Sequence, residues 1–206
     1  MGRQPQPEIR ARLLAACVEH ALAHGLPDRL EPLATATGTS ARMLLYHFGT
    51  RDGLLRAVLV QARAQQLELF RGLLEPRPDE PYTATLRRAW AGMTGPAGAP
   101  YLRVFGRLRE SAEQQLWPDF RRVATTDWLG TLGRGTATLD PPTLGPPALD
   151  PPALDPRALD PPALGRPELA TLVLAVVRGL FMDLDATGDT ARADRAFDDF
   201  LALLGG

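Results

Sequence analysis

Apolar residues recur every three or four positions through almost the whole chain, and no sustained run alternates apolar with polar. That period confines the chain to helices that bury one stripe each against other helices. Ile9, Leu13, Cys17 and Ala21 line one face of a first helix, which Gly25 and Pro27 bring to an end. A short second helix is expected at 28–37, where Asp28 and Glu31 stand at capping-box spacing and Pro32 is tolerable only in the first turn. A third is expected at 40–48. Thr50 suits the N-cap of a long fourth helix and Asp52 its positive end, with Leu55, Leu59, Ala62, Leu69, Phe70 and Leu73 as its stripe. Pro76, Pro78 and Pro81 stop that helix. Further helices are expected near 82–94, 100–116 and 118–133. A broad apolar face then runs from Leu169 to Leu184, Gly188 marks a turn, and Phe197, Phe200, Leu201 and Leu204 line a last helix.

The helical period fails in one place. Residues 138–167 read as six tandem five-residue units, TLDPP, TLGPP, ALDPP, ALDPR, ALDPP and ALGRP, and hold ten of the twenty prolines. Adjacent prolines exclude helix interiors and central strands, and one Leu per unit cannot build a core. An extended, disordered insertion is expected there. It reads either as a proline-rich ligand for another protein or as a slippage-expanded repeat tolerated on the surface.

Bulk charge gives little direction. The formal net charge is −1, and all 23 basic residues are Arg. Residues 1–60 hold seven Arg against five acids, and the remainder sixteen against nineteen, a weakly basic head on a weakly acidic body. The single Cys17 excludes an internal disulfide and a cysteine-based metal site. Neither a signal-peptide pattern nor an apolar run long enough for a bilayer is present, so a cytoplasmic chain without a membrane partner is expected.

The informative stretch is 30–48, LEPLATATGTSARMLLYHF. Two short helices with a tight turn at Gly38 make a helix-turn-helix. Ala34 is small enough to let the helices approach, Gly38 can take a positive φ, and Ser40 can cap the third helix. That helix presents Thr39, Ala41, Arg42 and Met43 near its N-terminus, the end that reaches base edges in a major groove. Leu44 and Leu45 are expected to straddle its buried side, and Phe48 to close the core.

With Gly25, Ala34, Gly38, Thr39-Ser40, Leu45-Tyr46-His47-Phe48, Arg51-Asp52 and Leu54-Leu55 in this order, the segment resembles the N-terminal domain of the TetR family of bacterial transcriptional regulators (TetR/AcrR type). The resemblance implies an all-α fold. A three-helix DNA-binding domain at 1–55 would be joined by a long helix to a helical ligand-binding and dimerisation domain at 56–206, which the Pro-rich insertion 138–167 interrupts. It implies that Tyr46 and His47 contact DNA phosphates, as does Arg51, standing where the family usually has Lys. Thr39 and Ser40 would lie near the backbone, with Ala41, Arg42 and Met43 at the base-reading end. The loop after Gly25 is one residue short, and Asp28-Arg29 replaces the Thr common at the start of the second helix. Arg29 is the candidate for that phosphate contact.

The same resemblance implies a homodimer on a near-palindromic operator, with repression relieved by a small molecule. Two apolar stripes supply the candidate dimer interface, Leu169, Leu172, Val173, Val176, Leu180, Phe181, Leu184, Phe197, Phe200, Leu201 and Leu204. Trp90, Met93, Tyr101, Phe105, Leu108, Trp117, Phe120 and Trp128 are the candidate lining for an apolar or aromatic ligand, or simply core. No catalytic residue, cofactor or metal is expected. His20 and His24 stand one helical turn apart, but no further ligand pattern accompanies them. A helical ligand-binding or protein-interaction module without DNA binding stays open as the alternative.

Overall fold

The computed structural model describes residues 7–107, 116–136 and 166–204. Among them it has nine α-helices and no strand: α1 (Pro7–His24), α2 (Glu31–Ala36), α3 (Ala41–Phe48), α4 (Arg51–Leu73), α5 (Tyr82–Thr94), α6 (Ala99–Arg107), α7 (Phe120–Thr136), α8 (Arg166–Thr187) and α9 (Thr190–Leu204). The all-α architecture expected from the apolar period is therefore observed. The expected insertion at 138–167 and the candidate Leu108 lie outside the described residues, except that the last two residues of that stretch, Arg166 and Pro167, open α8. Pro is compatible with a first helical turn because its missing N–H has no partner there anyway.

The chain divides into two compact units. One comprises Met1–Gly72 with Gly92–Val123, the other Leu73–Ala91 with Ala124–Gly206.

In the first unit α1 packs on α2 and α6, and α2 on α3. Leu13, Cys17, Val18 and Ala21 of α1 are buried together with Leu33, Leu44, Leu54, Leu55, Val58 and Leu59. Every one of them falls at helical spacing within its own helix, which is why the stripes could be read from sequence. Burial pushes the Cys17 thiol up to about 11, so the sulfur behaves as a small apolar core group. Two expectations for this unit need correction. The capping box from Asp28 does not form. The N-cap of α2 is Leu30, whose side chain makes no cap, and Pro32 takes the first turn, where it leaves no donor wanting. Leu45 is also exposed, not buried, because an eight-residue helix packed on α2 has room to bury one narrow face, and Leu44 fills it.

In the second unit α8 packs on α9. Its centre is aromatic: Trp90 of α5 stacks on Phe181 at 5.2 Å and on Phe197 at 4.8 Å. The Trp90 indole Nε1 donates to Asp194 Oδ1 at 2.7 Å, which satisfies its one polar atom at the edge of the stack. Arg178 donates to Thr125 Oγ1, and Arg87 to Asp198. Tyr82 is buried with no partner for its hydroxyl among the described residues. Burial pushes that phenol up to about 12, against a weaker opposite pull from Arg134.

Candidate nucleic-acid interface

The turn between α2 and α3 is built by backbone geometry. Gly38 stands at φ +64°, its N–H donates to Thr35 O at 3.1 Å, and the Thr39 N–H donates to Ala34 O at 3.0 Å. These are the two bonds of a Schellman motif, which closes the C-terminal end of α2 and reverses the chain. The Thr37 hydroxyl donates back to Leu33 O at 2.7 Å. Two residues after Gly38, Ser40 takes an extended backbone and its Oγ accepts from the Met43 N–H at 3.2 Å, the N-cap expected from sequence. Helix α3 is thus started and aimed within five residues of the end of α2.

Its orientation is fixed by one side. Leu44 is fully buried, and Leu33 and Ala34 of α2 are buried with it. Arg42, Met43 and Tyr46 then stand outward, Met43 44% and Tyr46 50% exposed. Thr39, half-buried, lies in the turn just before the Ser40 cap, and Arg42, Met43 and Tyr46 form the outward side of α3, with Tyr46 four residues after Arg42 and three after Met43. Ala41 is half-buried and Ser40 exposed beside it. His47 is half-buried, with its ring edge-on to Tyr46 at 5.2 Å and its Nδ1 without a hydrogen-bond partner among the described residues. Arg29 is exposed at the head of α2.

The junction with α4 is equally specific. Thr50 Oγ1 accepts from the Gly53 N–H at 2.9 Å, the expected cap. A Cβ at Gly53 would lie 2.7 Å from the Phe48 carbonyl oxygen, so the close approach of these two backbones requires glycine there. Arg51 does something that the sequence did not announce. Its Nε donates to Asp28 O at 2.9 Å and one terminal nitrogen to Pro27 O at 3.4 Å, while the other pairs with Asp52 at 3.1 Å. The guanidinium therefore fastens the loop before α2 to the first turn of α4. The signal was available only as a basic residue after a tight turn. That its donors face carbonyls 23 and 24 residues earlier follows from the fold.

The residues read as a candidate ligand lining fall into separate groups. Phe105 stacks on Phe120 at 5.2 Å, and Trp117 leans on Phe120 at 5.3 Å, all in the first unit. Tyr101, with its hydroxyl 3.4 Å from Gln65 Oε1, and buried Met93 belong to that unit too. Trp90 and the half-buried Trp128 belong to the second. Sequence reasoning missed a buried polar pair in α4, Arg63 donating to Gln66 Oε1 at 2.5 Å. Their positions continue the series Leu59, Ala62/Arg63, Gln66, Phe70, and that register was the signal for their burial.

Of the candidate dimer residues, Leu169, Val173, Phe197, Leu201 and Leu204 are buried within the chain. Val176, Leu180, Phe181, Leu184 and Phe200 are half-buried and Leu172 is exposed. Met182 and Leu203, not singled out from sequence, are 66% and 69% exposed. His20 and His24 have ring centroids 4.7 Å apart, and burial, then the neighbouring His24, lowers the affinity of His20 for a proton. Among the described residues no group of three or more His, Cys, Asp or Glu is placed to hold a metal, and no helix is long and apolar enough to cross a membrane.

No protein-family model and no curated protein matches the chain. Solved structures do. A transcriptional regulator from Rhodococcus sp. Rha1 superposes with a TM-score of 0.66 at 19% identity, covering 95% of each chain. A protein from Mesorhizobium loti MAFF303099, assigned to the TetR family of transcriptional regulators, gives 0.62 at 16% identity over 100% of both chains. Salmonella enterica GusR gives 0.57 at 17% identity over 98% of this chain and 99% of its own. The nine helices of the described residues, a capped helix-turn-helix among them and superposition over 95–100% of the chain on these regulators agree: the chain has the fold of TetR-type transcriptional regulators.

Proposed function

We propose that this protein is a sequence-specific, DNA-binding transcriptional regulator that acts as a homodimer, with residues 1–55 as its DNA-binding domain. The observation that carries the reading is the outward stripe of α3. Arg42, Met43 and Tyr46 leave the core on a helix whose start is capped by Ser40 and whose inner face is anchored by Leu44, with Thr39 in the turn before the cap. A packed monomer gains nothing from a stripe so placed, whereas a major groove accepts a helix by that end. Arg42 reads a base edge, and Tyr46, His47 and Arg29 set register on phosphates. Arg51 contributes chiefly by holding the loop that carries Arg29.

One recognition helix covers few base pairs, so a two-fold dimer placing two of them about 34–36 Å apart on a near-palindrome is part of the proposal. Exposed Leu172 and half-buried Val176 and Leu180 on α8, with Phe200 and Leu203 on α9, are the apolar area left for that contact. The site of action is the compartment that holds the DNA, the cytoplasm of a bacterium. Repression relieved by a small apolar or aromatic ligand completes the reading. Phe105, Trp117 and Phe120 of the first unit offer the contacts, and Arg63 with Gln66 of α4 in the same unit a polar anchor.

The test is binding of fluorescently labelled duplexes from the DNA flanking the coding region. Arg42→Ala relaxes discrimination between sites, and Tyr46→Phe weakens all sites alike. Unchanged binding by both variants overturns the assignment, and a monomer mass at micromolar concentration overturns the dimer.

A further inference from the structure

Resting on the DNA-binding reading above, we infer that Met43 is a specificity determinant that reads the methyl group of a thymine beside the guanine taken by Arg42. The half-site thus carries a guanine and a thymine at neighbouring base pairs.

The eight residues of α3 are ARMLLYHF, with no Asn, Gln, Asp or Glu. Adenine is read in the major groove by an amide that both donates and accepts, and cytosine by a carboxylate acceptor. Neither the amide nor the carboxylate contact can be made from this helix. Arg42 is the one side chain on its outward stripe with a fork of donors, and the base that accepts two such donors is guanine, through O6 and N7. Arg42 is exposed and has no ion-pair partner among the described residues, so its fork is available. Arg51, by comparison, is already spent on two carbonyls and Asp52.

Met43 is the neighbour in sequence and stands 44% exposed, on the polar side of a helix whose inner face is filled by Leu44. It cannot donate a useful hydrogen bond, and its thioether is a weak acceptor. It therefore cannot tell bases apart by hydrogen bonding. What remains in the groove for an apolar, unbranched side chain is the C5-methyl of thymine, the one apolar group that a base pair displays there. The Ser40 cap acts directly on this residue, because it is the Met43 backbone N–H that Ser40 Oγ accepts from. The base of the Met43 side chain is consequently among the best-placed points of the helix. Small Ala41 at the same end leaves room for approach. Residues 42 and 43 differ by about 100° in direction and about 1.5 Å in height, which directs them to neighbouring base pairs.

The prediction is sharp because thymine can lose its methyl and nothing else. The full-length chain is used to enrich sites from a random-sequence duplex pool, and the strongest site is resynthesised with deoxyuridine at each thymine in turn. Wild type loses affinity about three- to fivefold at one thymine per half-site, the worth of one buried methyl. Met43→Ala binds the thymine and deoxyuridine sites equally, and Met43→Leu keeps the difference. Arg42→Ala loses preference for the neighbouring guanine about tenfold but still distinguishes thymine from deoxyuridine. Both positions are exposed, so the helix content of each variant by circular dichroism matches wild type. If wild type binds an enriched site and no deoxyuridine substitution weakens it, the inference is overturned while DNA binding stands. If no sequence is enriched at all, the DNA-binding reading itself falls, and the inference with it.

Discussion

The turn that aims α3 makes a prediction of sign as well as size. Gly38 and Gly72 lie in the same unit, and an added Cβ at either meets nothing within 4 Å. Packing therefore cannot distinguish Gly38→Ala from Gly72→Ala, but the backbone does. Gly38 has φ +64° as the residue that closes the Schellman motif, whereas Gly72 lies in the last turn of α4 with helical geometry. Placing Ala in the left-handed region costs about 1–2 kcal/mol. The stiffer unfolded chain returns about 0.4–1 kcal/mol in both variants. Gly38→Ala is thus destabilised by about 1 kcal/mol net, and Gly72→Ala is stabilised by about 0.5 kcal/mol, the penalty for glycine in a helix being smaller near its end. For a chain of this size the midpoints of thermal unfolding should move in opposite directions, by about 3 °C down and about 1 °C up. Thermal melts followed by circular dichroism measure both. Gly38→Asn should fall between Gly38→Ala and wild type, because Asn tolerates this region. Equal shifts of the same sign for the two alanine variants would refute the argument that conformation alone, and not packing, makes Gly38 necessary.

Three further perturbations probe the same account. Ser40→Ala removes the cap on the Met43 N–H and should cost about 1 kcal/mol in urea titration. Arg51→Ala frees the Pro27–Asp28 carbonyls from α4 and should raise hydrogen exchange in the loop before α2 at unchanged helix content; unchanged exchange there would show that the guanidinium fastens nothing. Tyr82 gives a pH dependence. Its folded-state value of about 12 lies above the ordinary 10.0, so its contribution is fully present below pH 10.0 and is lost as pH rises towards 12, by roughly 2–3 kcal/mol. Tyr82→Phe should abolish that alkaline loss and be neutral or stabilising by about 1 kcal/mol at neutral pH, since it deletes a buried hydroxyl without a partner among the described residues.

The sequence was most legible where local chemistry decides. The Ser40 and Thr50 caps, the Gly38 turn and the limits of α5 depend on residues within four positions of one another, and all stand where the pattern put them. It misled where a backbone alternative competed, as at Asp28, whose capping spacing was outweighed by a helix starting at Glu31 with Pro32 in its first turn. It was silent on long-range partners. Nothing near Trp90 in sequence says that its indole meets Asp194, 104 residues away, or that Phe181 and Phe197 both stack on its ring. Helical spacing likewise could not separate Leu172, exposed, from Val173, fully buried, since a broad apolar face does not say which half of it a neighbouring helix covers. In the candidate interface the outward stripe was readable, but the use of Arg51 was not, because its acceptors are backbone atoms brought near only by the fold.

The most direct test of the central claim is the salt dependence of DNA binding by the wild-type chain. A dimer that sets the Arg29 guanidinium of each subunit on a phosphate displaces counterions, so the logarithm of its affinity for an enriched duplex should fall linearly with the logarithm of salt concentration. The slope should be about −0.9 for each phosphate neutralised. A steep negative slope, reduced by about one for each Arg29 removed from a half-site, is the predicted result. Affinity that does not change with salt, or no affinity for any duplex at low salt, would contradict the account.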